Sequence, residues 1–93
     1  MIKSFKDKET EKIYHQERSK KLPTEIQQRA LKKLIIIDNA LTEEDLRVPP
    51  ANYFEHLKGD RKGESSIRIN DQWRICFRFR NGDAYGVGIE DYH

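Results

Sequence analysis

Two different spacings of apolar residues divide this chain. Between residues 24 and 41, Ile26, Ala30, Leu31, Leu34, Ile37 and Leu41 recur every three or four positions, with Gln28, Arg29, Lys32 and Lys33 on the opposite side. That spacing predicts an amphipathic helix. Thr24 stands where an N-cap belongs, with Gln27 three residues on as the partner of a capping box. Ile35 and Ile36 widen the stripe, so the helix is expected to pack against the sheet and an earlier helix. That earlier helix is a polar one over residues 8–17, anchored by Ile13 and Tyr14 and joined by a basic connector over residues 19–21. Before it, Ile2-Lys3-Ser4-Phe5 alternates as a short strand would.

Past Thr42-Glu43-Glu44-Asp45-Leu46, which reads as a capped turn with acids at its start, Pro49-Pro50 stops helical structure. From Tyr53 onward the period is two. Strands are predicted over residues 53–57, 66–70, 73–80 and 83–90, with a turn over 59–63 and a hairpin at Asn81-Gly82. Pairing Ile67 and Ile69 with Phe77 and Ile75 requires an odd loop over 71–73. A two-residue turn at Asn81-Gly82 puts Tyr85 beside Arg78, so a bulge or a longer loop is needed to bring Tyr85, Val87 and Ile89 onto the apolar face, and a bulge is expected. The other face would then carry Arg74, Cys76, Arg78 and Arg80 beside Ala84, Gly86 and Gly88, as a shallow open groove. The fold class is α+β: a small antiparallel-rich twisted sheet with two N-terminal helices packed on one face.

Composition narrows the setting. The 93 residues are 35% hydrophobic and 37% charged, which fits one small domain, 1–93, with a lean core. A single cysteine, Cys76, rules out an intrachain disulfide framework and fits a reducing, cytoplasmic location. No apolar run approaches the roughly 18 residues of a membrane span, so no membrane partner is expected. The net charge of +2 says little, but its distribution says more. From Lys58 to Arg80 there are seven basic residues and three acids, a local excess suited to a phosphate backbone or simply to a solvated sheet face.

Breaking RNA without a metal needs three groups: a base for the 2'-hydroxyl proton, a cation for the charge on the phosphate, and an acid for the leaving oxygen. The chain has no His/Cys/Asp/Glu pattern with metal-ligand spacing, no phosphate-binding glycine loop and no nucleophile motif; neither a metal nor another cofactor is expected. It does have Leu57-Lys58-Gly59-Asp60-Arg61, Ser66-Ile67-Arg68-Ile69-Asn70, Gln72-Trp73-Arg74 and the ending Asp91-Tyr92-His93. In order, spacing and position these resemble the HigB-type toxins of the RelE/ParE superfamily, as do the opening Met1-Ile2-Lys3-Ser4-Phe5 and Pro49-Pro50.

That resemblance implies a toxin of a type II toxin–antitoxin system: a ribosome-dependent mRNA endonuclease that cuts codons in the decoding site and inhibits translation. It also implies the partners, namely a helix-turn-helix HigA-type antitoxin, the 70S ribosome with its mRNA, and operator DNA only through the antitoxin. By the same resemblance Arg74 stabilises the scissile phosphate, Lys58 acts on the phosphate or assists proton transfer, and His93 trades protons. Asp91 orients His93 or holds its charge, and Tyr92 stacks on a base or donates its hydroxyl. The chain departs from the pattern at Glu55-His56. Relatives with a catalytic histidine carry it three positions before the lysine, and here Glu55 stands there. One residue of offset reverses a strand side chain, so His56 is expected outside the site and Glu55 inside it as an alternative base.

Arg61, Arg68, Arg78 and Arg80 are candidate phosphate contacts, and Trp73 a corner residue behind Arg74 or a base-stacking surface. Arg18-Ser19-Lys20-Lys21 could meet ribosomal RNA or be only a solvated connector. Cys76 reads as a buried filler and His15 as a surface residue. Two other readings stay open: a non-catalytic superfamily toxin that blocks DNA gyrase, and an inactive RNA- or ribosome-binding module.

Overall fold

In the computed structural model, residues 1–92 are described. Helix α1 (Lys8–Tyr14) starts where the Asp7 carboxylate accepts from the Thr10 amide at 2.8 Å, an N-cap that satisfies one orphan donor. Helix α2 (Thr24–Asn39) buries Ile26, Ala30, Leu34 and Ile37; the two isoleucines and the leucine each contribute about 1.5–3 kcal/mol by leaving water, the alanine methyl less. Two expectations for α2 are corrected. Thr24 is its first helical residue and Pro23 its N-cap, with no side-chain cap. Gln27 instead binds Ser19 and Leu22 backbone groups at 2.8–3.1 Å and so fastens the connector to the helix. The helix also ends early: Ala40 is extended, and Leu41 is 76% exposed rather than part of the stripe. Ile35 likewise faces out. At the start of the short α3 (Glu43–Leu46), expected as a capped turn, the Asp45 carboxylate accepts from the Thr42 amide at 3.2 Å.

Four strands follow in an antiparallel meander: β1 (Glu55–His56), β2 (Ser65–Arg68), β3 (Trp73–Arg80) and β4 (Asp83–Asp91), in that spatial order. Strand β1 is shorter than expected because Tyr53 takes a left-handed conformation, φ 44° and ψ 52°, which ends a 3-10 turn over Pro50–Asn52. The opening segment lies along β4 only as two parallel bridges, Ile2 to Ala84 and Phe5 to Val87, not as a strand. Below the sheet, Ile67, Ile69, Ile75, Phe77, Ala84, Val87 and Ile89 join the buried stripe of α2 in one core.

The register differs from expectation by two residues. Ile67 pairs with Ile75 and Ser65 with Phe77, and the three-residue loop is 70–72, closed by Ile69 N donating to Trp73 O at 2.8 Å. The predicted bulge exists: between the pairs Cys76–Gly88 and Arg78–Tyr85, Gly86 and Val87 of β4 stand opposite the single Phe77 of β3, with Gly86 at φ +60°. It comes after Tyr85, though, so Tyr85 stays opposite Arg78 on the outer face and Ala84 takes the buried place. The outer face is open at only one of its two glycines: nothing approaches Gly86 within 4 Å, whereas the Lys6 side chain lies over Gly88.

Candidate active site

Strand register decides which side chains share the outer face. Directly paired residues point the same way, so Glu55, Ser66 and Cys76 form one row beside Gly88, and Arg68, Arg74 and Glu90 the next. His56 pairs with Ser65, itself opposite Phe77, and therefore points toward the helices. There its Nε2 lies 3.1 Å from the Glu43 carboxylate of α3 and its Nδ1 3.2 Å from Ser65 Oγ. The one-residue offset in the sequence is thus a real difference of face. Glu55 lies on the side of Arg74.

Arg74 is the anchor of this face and is only 8% exposed. Its Nε donates to Ser66 Oγ at 2.8 Å, and its Nη2 donates to the Tyr53 carbonyl at 2.6 Å. The Glu55 carboxylate is 3.7 Å away, and the guanidinium lies 5.6 Å from the centre of the Tyr92 ring. Held by Ser66 and Tyr53, the cation keeps one orientation, the condition for an electrostatic group that acts without reorganising. Beside it is a hollow of about 310 Å³ lined by Glu55, His56, Leu57, Lys58, Arg61 and Tyr92. Lys58 is exposed at its rim, at the N-cap of the 3-10 turn Gly59–Arg61.

The remaining basic residues divide by what already holds them. Arg61 is clamped twice: its guanidinium donates to both oxygens of Glu90 at 2.6 and 2.7 Å and to both oxygens of Glu64 at 2.8 and 3.2 Å. Lys6 adds a bond to Glu90 at 3.2 Å. These contacts hold Glu90 and Glu64 below the usual carboxylate range, Arg61 being the main cause in each, and raise Arg61 above its ordinary value. Arg68 is paired with Asp71 and lies 5.1 Å over the Tyr53 ring. Arg78 is exposed, with its guanidinium against Gly63, and Arg80 lies 5.9 Å over Tyr85.

Trp73 faces the core, half-buried against it, on the side of the sheet away from Arg74. Asp91, paired with Trp73, receives the Gln72 amide at 3.2 Å. Tyr92 is fixed at its backbone, where its N–H donates to Gln72 O at 2.6 Å. His93 lies outside the described residues. Cys76 is buried, and burial pushes its thiol up to about 11. Among the described residues no three His, Cys, Asp or Glu side chains converge to hold a metal ion.

Two contributors to the site were not apparent from the sequence: Ser66, and the backbone of Tyr53. Ser66 was legible only as a strand residue, and nothing in the sequence marks a tyrosine for a left-handed turn, a conformation more often taken by glycine or asparagine.

Residues 3–93 match the family described as the RelE-like toxin of type II toxin-antitoxin system HigB. Toxin HigB-1 of Vibrio cholerae serotype O1 is 41% identical over 93 residues, covering 99% of this chain and 98% of that one. Endoribonuclease HigB of Proteus vulgaris is 40% identical over 94 residues, covering both chains completely. In fold the chain is similar to YafQ from E. coli strain BL21(DE3), with a TM-score of 0.59 at 11% identity over 98% of this chain and 91% of that one.

Proposed function

The chain belongs to the HigB-like family of RelE-like type II toxins, and from that premise we propose that it is a ribosome-dependent, metal-independent mRNA endonuclease that cuts codons in the decoding site. One observation carries the chemistry: a buried, doubly held guanidinium, Arg74, beside a hollow edged by Glu55, Lys58 and Tyr92. A flexible RNA strand entering that hollow brings a phosphate to the guanidinium, which stabilises the charge built up as the 2'-oxygen attacks. Glu55 takes the 2'-hydroxyl proton, the place a histidine holds in relatives. Lys58 adds positive charge at the rim. His93, oriented by Asp91, returns a proton to the departing 5'-oxygen, and Tyr92 stacks on a neighbouring base. The P–O5' bond breaks as the P–O2' bond forms, leaving a 2',3'-cyclic phosphate and a 5'-hydroxyl.

As a type II toxin the protein has an antitoxin partner. The finer assignments belong to the proposal: the whole chain as one toxin domain, a helix-turn-helix HigA-type antitoxin, the 70S ribosome carrying mRNA, operator DNA reached only through the antitoxin, and action in the cytoplasm. Among the described residues no helix is long and apolar enough to cross a membrane.

The test is to incubate purified protein with programmed ribosomes and map the new mRNA 5' ends. Cuts within the decoding-site codon, leaving a cyclic or 3'-phosphate, are expected. Arg74→Ala is expected to slow them by about 10²–10³-fold. Inhibition of gyrase with intact mRNA, or ribosome binding without cutting on any codon, would replace this reading.

A further inference from the structure

Tyr53 combines features that packing does not explain. Its backbone sits in the left-handed region, costly for a residue with a bulky side chain, yet its ring is not buried in return: the residue is 60% exposed. Its carbonyl receives the Arg74 guanidinium at 2.6 Å, so the ring is tied through one residue to the proposed cleavage site. Arg68 lies 5.1 Å from the ring centre, and Arg68 and Arg74 are direct strand partners. The ring also stands at the mouth of a second groove, of about 860 Å³, whose wall on α2 carries Arg29, Lys32 and Lys33. Among the described residues none of these three cations has a carboxylate within ion-pairing distance. Burial and the neighbouring Arg29 lower the Lys33 amine below its ordinary range, the response of a cation lacking a counter-charge.

An exposed aromatic ring flanked by a guanidinium plane, leading into a groove where Arg29, Lys32, Lys33 and Arg68 outnumber the carboxylates Glu25 and Asp71, has the composition of a single-stranded RNA surface, where bases stack and phosphates meet the charges. We propose that Tyr53 and Arg68 form a nucleobase-stacking subsite next to the scissile phosphate, with the continuing RNA backbone running into the α2 groove. The inference rests on the endonuclease reading and adds to it a residue that grips one particular base. The left-handed turn then has a purpose: one residue aims its carbonyl at Arg74 and its ring at the adjoining nucleotide.

The experiment pairs changes in protein and RNA. Tyr53→Gly suits the left-handed backbone and keeps the carbonyl while deleting the ring, and a thermal melt checks that it folds. Single-turnover cleavage on programmed ribosomes is measured for wild type, Tyr53→Gly and Tyr53→Phe, with intact mRNA and with mRNA made abasic at each codon position in turn. Loss of the ring should slow cleavage at limiting ribosome concentration by about 5- to 150-fold, and Tyr53→Phe should lose much less. At one codon position the abasic change should cost wild type a similar factor and cost Tyr53→Gly almost nothing more. Equal losses in both proteins at every position, or a Gly variant as fast as wild type, would overturn the subsite. Should wild type cut nothing, the endonuclease reading fails separately. The subsite is then judged by binding of intact and abasic programmed ribosomes, where equal affinity in wild type overturns it.

Discussion

Glu55 and His56 are neighbours in sequence, yet they point to opposite faces of the sheet, and their contacts predict opposite consequences of substitution. Glu55 adjoins Arg74, while His56 is turned toward Glu43 and Ser65. Glu55→Gln should slow single-turnover cleavage by about 10²–10⁴-fold, the range for a lost general base, and His56→Gln by no more than a few-fold. The reverse order would assign the base to the histidine. Cys76 makes a second residue-scale prediction. With its thiol buried and pushed up to about 11, its alkylation by iodoacetamide at pH 8 in folded protein should be slower than that of a free thiol by about two orders of magnitude or more. At this scale the sequence was most informative where strand parity alone decided the outcome, as for Glu55 and Arg74. It was least informative for Arg61, because nothing local shows that Glu90, 29 positions away, occupies its guanidinium.

At the scale of elements, α2 and the β3–β4 hairpin were legible because each repeats one period over many residues. Short elements were not. Asn52 explains one of them: it is fully buried, its amide donates to Leu46 O and Val48 O at 3.0 and 3.1 Å, and its oxygen receives Lys33. This single side chain holds α3, the 3-10 turn and α2 together, a tertiary fact that no local pattern records. Asn52→Ala should leave buried carbonyls unsatisfied and destabilise the fold by about 2–3 kcal/mol, measured as a lowered urea midpoint at unchanged m-value. A loss below half a kcal/mol would remove it from that role. The misplacement of Tyr85 has a similar origin. Periodicity shows that a bulge is needed, but not on which side of a given residue it falls.

For the whole molecule, the Lys6–Glu90–Arg61–Glu64 network joins the opening segment, the turn after Lys58 and the end of β4. Both carboxylates titrate lower folded than unfolded. Their contribution is therefore present above the ordinary glutamate pKa, about 4.3, and is lost as pH falls through the lower folded values. Thermal stability should drop below about pH 4.3 for this reason, and Glu90→Gln should flatten that limb while lowering stability at neutral pH. An unchanged acid limb in Glu90→Gln would place the pH sensitivity elsewhere.

The two bridges that fix the opening segment to β4 have a kinetic consequence. Every other sheet contact joins consecutive strands, so the meander can assemble from pairings close in sequence, whereas Phe5 must find Val87 across nearly the full chain. Contacts that span such a loop tend to close late, after the rate-limiting barrier. Phe5→Ala should accordingly quicken unfolding while leaving the refolding limb of the chevron almost untouched; a slowed refolding limb would show that the ends of the chain meet early.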